Sequence, residues 1–363
     1  TLFPYTTLFR SPGGTTGALY DQKTHCPVTL LLFRRAFSGP PTDGFDYFCP
    51  KSPAMDDTRI FQIADEAEFH ALSLAYFREQ FRDVPAYRTF CNHLGKEPGN
   101  VKSIRDIPFL PVEFFKTHDL LPKDREAATI FRSSGTTGSA PSRHLVADLS
   151  LYRESFLKGF QHFYGPVQDY CILALLPSYQ ERPDASLIYM VEELIRQSGH
   201  PGSGFIRGDT AALQAQISNR DAARTPVLLI GVSFALLDLI VGHSMKLSNT
   251  LIMETGGMKG RKKEMVREAL HKILCRGFGV DRIHSEYGMT ELLSQAYSRG
   301  GGKFRCPPWM RVLPRDPEDP FCYLAHGRSG GLNIIDLANR YSCAFLATQD
   351  LGKTYPDGSF EVL

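Results

Sequence analysis

With 363 residues, 42% of them hydrophobic and 22% charged, the chain can bury a full-sized core and has the composition of an ordinary globular protein. Its 41 basic and 39 acidic side chains leave a formal charge of +2, which supplies no net-charge case for nucleic acid or a membrane surface. Eight cysteines at long, irregular spacings include no C-x-x-C pair, a pattern that speaks against a zinc site or a secreted disulfide framework and fits a reducing cytoplasm.

Residues 1–55 carry no sustained helical or alternating period and are rich in Gly, Pro and Thr. The opening "TLFPYTTLFRS" looks like a translated cloning adapter, so this stretch is read as an irregular, non-native leader outside the fold. Its "GGTTG" at 13–17, without a strand before it or a helix after it, is only a turn. "VTLLLF" at 28–33 is too short for most signal-peptide cores, and no run approaches the ~18 apolar residues of a membrane span.

Order is expected to begin near Asp65, which with Glu68 matches a capping box. Phe69, Leu72, Tyr76, Phe77 and Phe81 then recur at helical spacing. Pro98, Pro108 and Pro111 forbid a regular helix across the following loop. The apolar runs at 170–177, 226–233 and 250–255 read as buried strands. Leu187, Met190, Val191 and Leu194 mark one helix, and Met265, Val266, Ala269 and Ile273 another, whose basic lead-in "KGRKK" at 259–263 reads as a solvated helix start. Strand and helix in alternation predict an α/β fold with helices packed on a sheet. "GGLNIIDL" and "SCAFLATQDLG" predict a distorted β-rich subdomain of shorter strands towards the C-terminus.

Chemistry concentrates in four places. The run "SSGTTG", Ser133, Ser134, Gly135, Thr136, Thr137 and Gly138, offers free backbone N–H groups and hydroxyls, which suit a phosphate. It is not a nucleotide P-loop, because Ser139 and Ala140 stand where Lys and Ser/Thr belong, and it lacks the G-x-G of a dinucleotide fingerprint. A solvated hairpin turn is the plain alternative. In "HSEYGMTELLSQAYS", Tyr287, Gly288, Met289, Thr290 and Glu291 combine an aromatic, a hydroxyl and a carboxylate suited to adenine, phosphate and Mg²⁺; a turn before a capped helix is the alternative here. Gly256 and Gly257 in "ETGGMKG" permit close approach to a flat ligand, and Asp350 in "LATQDLG" can accept hydrogen bonds from a ribose, a turn residue being the plain alternative.

Four such elements in this order resemble the acyl-adenylate-forming superfamily. The segments "IPFLPVEFFKTHDLL", "FRSSGTTGSAPSRH" and "LLPSYQERPDASLIYM" are similar to the acyl-protein synthetase family, the long-chain-fatty-acid–luciferin-component ligases, over roughly residues 57 to 363. The resemblance implies an adenylate-forming domain over 56–363, of layered sheets with packed helices, that uses ATP and Mg²⁺ to convert a long-chain fatty acid into acyl-AMP. It implies phosphate binding by Ser133 to Gly138 with Thr136, charge neutralisation by Arg143, phosphate contact by Thr290, and Mg²⁺ binding by Glu291. It also implies adenine stacking by Tyr287, ribose binding by Asp350, and an acyl site beside Pro177, Ser178 and Tyr179. An exposed salt bridge is the plain alternative for Arg143. A fatty-acid reductase is the implied protein partner.

In this family the acyl group passes to a cysteine near the C-terminus, beyond a Gly-Arg-containing segment. The chain stops at "YPDGSFEVL", so the expectation is a truncated domain without that thiol or the small C-terminal domain. Cys343 and Cys275 are expected to be structural. The competing expectations are a phenylacetate-CoA-ligase-like acid–CoA ligase, or an inactive fragment that only binds nucleotide or acyl ligand.

Overall fold

A computed structural model describes residues 57–134, 140–176, 182–223, 225–256 and 265–363. Its helices are α1 (Glu66–Asp83), α2 (Pro85–His93), α3 (Phe114–Thr117), α4 (Leu149–Tyr164), α5 (Ser186–Ser198), α6 (Thr210–Ala222), α7 (Ser233–Leu239) and α8 (Arg267–Phe278). Its strands are β1 (Leu110–Pro111), β2 (Thr129–Arg132), β3 (Arg143–Val146), β4 (Cys171–Leu175), β5 (Gly204–Phe205), β6 (Val227–Val232) and β7 (Thr250–Thr255), followed by β8 (His284–Tyr287), β9 (Ala296–Ser298), β10 (Phe304–Arg305), β11 (Met310–Arg315), β12 (Gly330–Asp336), β13 (Phe345–Thr354) and β14 (Phe360–Val362). No helix among the described residues is long and apolar enough to cross a membrane.

The three apolar runs form the centre of a twelve-stranded mixed sheet. Strands β5, β4, β6, β7 and β8 lie side by side in parallel. Every residue of β4 and β6 is buried, as strands covered by helices on both faces must be. Beyond β8 the sheet turns antiparallel through β9, β10, β14, β13, β12 and β11. The β-rich C-terminal portion is therefore continuous with the parallel sheet; β12 and β13, of seven and ten residues, are longer than expected, whereas β14 has the expected short length of three. Gly352 makes one close pairing possible: a Cβ there would lie 2.2 Å from the Glu361 carbonyl of β14.

Helix α1 starts at Asp65, whose side chain accepts the Glu68 N–H at 2.9 Å. The Glu68 carboxylate closes the box one residue early, on the Ala64 N–H rather than that of the cap. Phe69, Leu72, Tyr76 and Phe77 form the buried face, with Phe81 only half-buried. Gln80, on the same face, donates to the carbonyls of Asn339 and Arg340 and accepts from the Ala344 N–H. It thereby fixes the β12–β13 connection that carries Asn339 into the site described below. As the prolines require, the stretch after α2 holds no helix longer than α3.

One expected face needs correction. Met265 and Val266 precede α8 and are exposed, Val266 at 75%, and Ile273 is 41% exposed. The buried stripe is Leu270, His271, Leu274 and Phe278, turned round the helix from the expected one. The polar His271 belongs to it because its Nε2 reaches the buried Glu254 of β7 at 3.5 Å, an attraction that an apolar count cannot register.

Cys91, Cys171 and Cys343 are buried, and Cys322 is exposed. Burial pushes the Cys343 thiol up to about 12 and those of Cys91 and Cys171 above their ordinary range. Iodoacetamide applied to the native protein should therefore modify Cys322 and spare these three, as mass spectrometry of peptides would read. Native-state modification of Cys343 would contradict this packing.

Candidate active site

The site lies at the C-terminal ends of the parallel strands, where open α/β sheets place their ligands. There the chain leaves β7 at Gly256 and β8 at Gly288, and both residues line a cavity of about 230 Å³. The hairpin β2–β3 supplies one wall through Arg132, Ser133 and Ser134. Met289, Thr290 and Glu291 supply a second, and Leu187 and Met190 of α5 an apolar third.

Ser133 and Ser134, the first two residues of SSGTTG, follow β2 directly, and Ser142 precedes β3. Ser133 and Ser142 are joined by two hydrogen bonds: the Ser133 N–H to the Ser142 carbonyl at 3.1 Å, and the Ser142 N–H to Ser133 Oγ at 2.9 Å. Arg182 clamps the entry, donating through Nη2 to the carbonyls of Arg132 and Ser133, both at 3.1 Å. This arginine, the last residue of "PSYQER", also lines the cavity.

Glu291 is 6% exposed. Burial raises its carboxyl above the ordinary range, partly offset by a hydrogen bond with Ser142 and by the positive charge of Lys116, while Asp350 adds to the rise. No helix follows this turn; the chain runs on to β9. The turn is held from behind. Asn339 Nδ2 donates to the Glu291 carbonyl at 2.7 Å, and the fully buried His144 meets the Thr290 carbonyl at 2.7 Å through Nδ1 and Asn339 Oδ1 at 3.0 Å through Nε2. Asp336, also fully buried, accepts the N–H groups of Leu293, Ser294 and Ala338 and the Ser294 hydroxyl. Burial nonetheless pushes its carboxyl up to about 6.

Neighbouring side chains of a strand point to opposite faces, and β8 separates its two site residues that way. Glu286 lines the cavity, whereas Tyr287 packs against Phe304 and Phe360 and donates its hydroxyl to Asp350 Oδ2 at 2.6 Å. The structure thus gathers Ser133, Ser134, Gly256, Gly288, Met289, Thr290 and Glu291 around one cavity, and brings Tyr287 and Asp350 together beside it. Arg143 pairs instead with Asp119 at 2.8 Å, both side chains being largely exposed. Gly135, Thr136, Thr137, Gly138, Gly257, Pro177, Ser178 and Tyr179 lie outside the described residues, as does the run at 259–263.

Arg182, Glu286, Gln295 and His144 belong to the site although the sequence reading did not single them out. All four stand within the quoted segments, and strand alternation next to Tyr287 was signal enough to place Glu286 on the opposite face.

Burial pushes Glu286 up to about 7, against the hydrogen bond from Thr255. Its native form thus keeps a proton that the unfolded chain releases near 4.5, and the stability attached to it falls as pH rises between those values. Asp336, raised in the same way, acts in the same direction. His144 and His284, pushed down to about 4 by burial, act oppositely, adding stability as pH rises from about 4 to 6.5. Glu286→Gln should therefore steepen the rise of unfolding free energy between about pH 5 and 6.5, measured by urea denaturation at each pH. Curves parallel to those of the unmodified protein would contradict the assignment.

Among solved structures the fold is similar to ATP-bound MatB from Rhodopseudomonas palustris, at 18% identity and a TM-score of 0.51 over 67% of this chain and 49% of that one. It is also similar to a 2-hydroxyisobutyryl-CoA ligase in complex with 2-HIB-AMP and CoA, at 13% identity and a TM-score of 0.60 over 88% and 74%. The chain spans about half the length of the MatB structure. No curated protein matches it in sequence. The mixed α/β fold is that of the adenylate-forming enzymes. Within that class the chain belongs to the acyl-protein synthetase family LuxE, whose model matches residues 57–356.

Proposed function

We propose that this protein activates a long-chain fatty acid as acyl-AMP and passes the acyl group to a protein thiol that supplies a fatty-acid reductase. The observation that carries the adenylation reading is the meeting of the Ser133–Ser134 hairpin end with the Thr290–Glu291 turn at one cavity. Family membership supports the thiol acceptor and the reductase.

In this reading a carboxylate oxygen of the acid attacks the α-phosphorus of ATP, the bond to the bridging α–β oxygen breaks, and pyrophosphate departs with its electron pair. The step needs positioning and charge neutralisation more than covalent help. Ser133, Ser134 and the residues up to Gly138 would hold the β- and γ-phosphates, with Thr290 beside them. Arg143 can exchange Asp119 for phosphate at little cost, because an exposed ion pair contributes at most about 1 kcal/mol. Asp350, oriented by the Tyr287 hydroxyl, would take the ribose, with the Tyr287 ring beside the base.

The donor set fits Mg²⁺. Glu291 lines the cavity with Thr290 and Ser133, as suits an ion held by one carboxylate, the nucleotide's phosphates and water. Glu291, desolvated and raised in pKa, gains from a cation beside it. When bound, the ion would neutralise charge on the leaving pyrophosphate.

Labelled pyrophosphate should return into ATP only when tetradecanoic acid is present. Exchange that ignores the acid, or ADP as the product, would overturn the reading.

A further inference from the structure

Two guanidinium groups, those of Arg132 and Arg182, line the cavity. Asp184 lies between them, 3.4 Å from Arg182 Nε and 3.9 Å from Arg132 Nη1. One carboxylate shared by two guanidiniums leaves a positive charge over, and both contacts are long for charge-assisted hydrogen bonds. The acids on the cavity wall do not cancel that charge in full, because burial raises Glu286 and Glu291 above the ordinary carboxylate range and disfavours their anions. A cleft with surplus positive charge gathers an anion.

Arg182 is the better organised of the two arginines. Its Nη2 donates to the carbonyls of Arg132 and Ser133, both at 3.1 Å, which fixes the guanidinium plane beside the first residue of SSGTTG. The N–H groups of Nη1 have no partner among the described residues, and the side chain is 28% exposed, within reach of a ligand. The Arg132 guanidinium has, among the described residues, only the 3.9 Å contact to hold it. Arg143 pairs with Asp119 and is not among the residues that line the cavity.

We infer that Arg182 is a catalytic residue of adenylation, its Nη1 donating to the pyrophosphate as that group departs. The inference rests on the adenylation reading and adds a fixed cation to it. The bridging α–β oxygen gains charge as it leaves, and a donor already in place meets that charge without reorganisation. Placement favours pyrophosphate over the carboxylate of the acid. Nη2 sits on Ser133, the start of the run assigned to the β- and γ-phosphates. A guanidinium on the carboxylate would also hold back the electron pair that must attack phosphorus.

The test has two arms, both on the whole chain. In the first, the unmodified protein is treated with phenylglyoxal, which modifies accessible arginines, and its peptides are read by mass spectrometry. Pyrophosphate with Mg²⁺, at ten times its Kd, should slow modification of Arg182 roughly tenfold, and tetradecanoic acid alone should not. In the second, Arg182→Gln and Arg182→Lys are compared in ATP–pyrophosphate exchange with tetradecanoic acid. Arg182→Gln should lower kcat roughly 10²-fold and raise KM for pyrophosphate, with KM for the acid unchanged within about twofold. Arg182→Lys should retain more activity than Arg182→Gln, because the charge remains. A role confined to clamping the two carbonyls would leave the variants alike, since both side chains can donate to a carbonyl, and that result would overturn the inference. Protection of Arg182 by the acid instead of pyrophosphate, or by neither, would overturn it too while leaving adenylation standing. Absence of acid-dependent exchange by the unmodified protein would overturn both. The protection arm needs no variant, so it decides the matter even if both substitutions fail to fold.

Discussion

Glu291→Gln should lower acid-dependent pyrophosphate exchange by roughly 10²-fold or more while the protein folds normally, as loss of a charge-stabilising group at a reaction centre does. Two properties of the position separate these effects. Its structural part is carried by the main chain, whose carbonyl accepts from Asn339 and is untouched by the change. The side chain is a carboxyl that burial already disfavours as an anion, so a neutral isostere relieves a desolvation cost. Circular dichroism and the urea midpoint should match the unmodified protein, and raised Mg²⁺ should recover little of the exchange. Full exchange at ordinary Mg²⁺ would remove Glu291 from the chemistry.

The largest effect on stability should come from Asp336→Ala. That carboxyl gathers four donors, three from main-chain N–H groups and one from the Ser294 hydroxyl at 2.5 Å. Truncation strands them in a site with no exposure, and a loss of about 3–5 kcal/mol follows from uncompensated buried polar groups. The urea midpoint should drop with little change in slope. Activity should fall as well, because Leu293 and Ser294 anchor the segment between Glu291 and Gln295. A shift below about 1 kcal/mol would show that water replaces the carboxyl without penalty.

Local chemistry made parts of this structure legible beforehand. The apolar runs of β4, β6 and β7 could be read because a strand covered on both faces needs no partner to announce itself. Asp65 could be read as a cap because the bond it makes is three residues away. The cavity residues of the hairpin end and the Y-G-x-T-E turn were readable as motifs. What could not be read depends on pairs distant in sequence. Tyr287 and Asp350, 63 residues apart, were each assigned a ligand, and their hydrogen bond to one another has no local signature. His144 meets Asn339 across 195 residues, and nothing around either residue marks the other as its partner. The face of α8 turned because a buried carboxylate on β7 attracts His271, and periodicity scores a histidine as solvent-facing.

The measurement that bears most directly on acyl-adenylate formation follows the oxygen atoms. A fatty acid labelled with ¹⁸O in its carboxylate is incubated with the protein, ATP and Mg²⁺, and hydroxylamine serves as the acyl acceptor. If a carboxylate oxygen attacks the α-phosphorus and the acyl carbon is then taken by hydroxylamine, one labelled oxygen remains on the phosphate of AMP. Mass spectrometry should find AMP carrying a single ¹⁸O, in equal amount to the hydroxamate. Unlabelled AMP, or label in inorganic phosphate accompanied by ADP, would contradict the account.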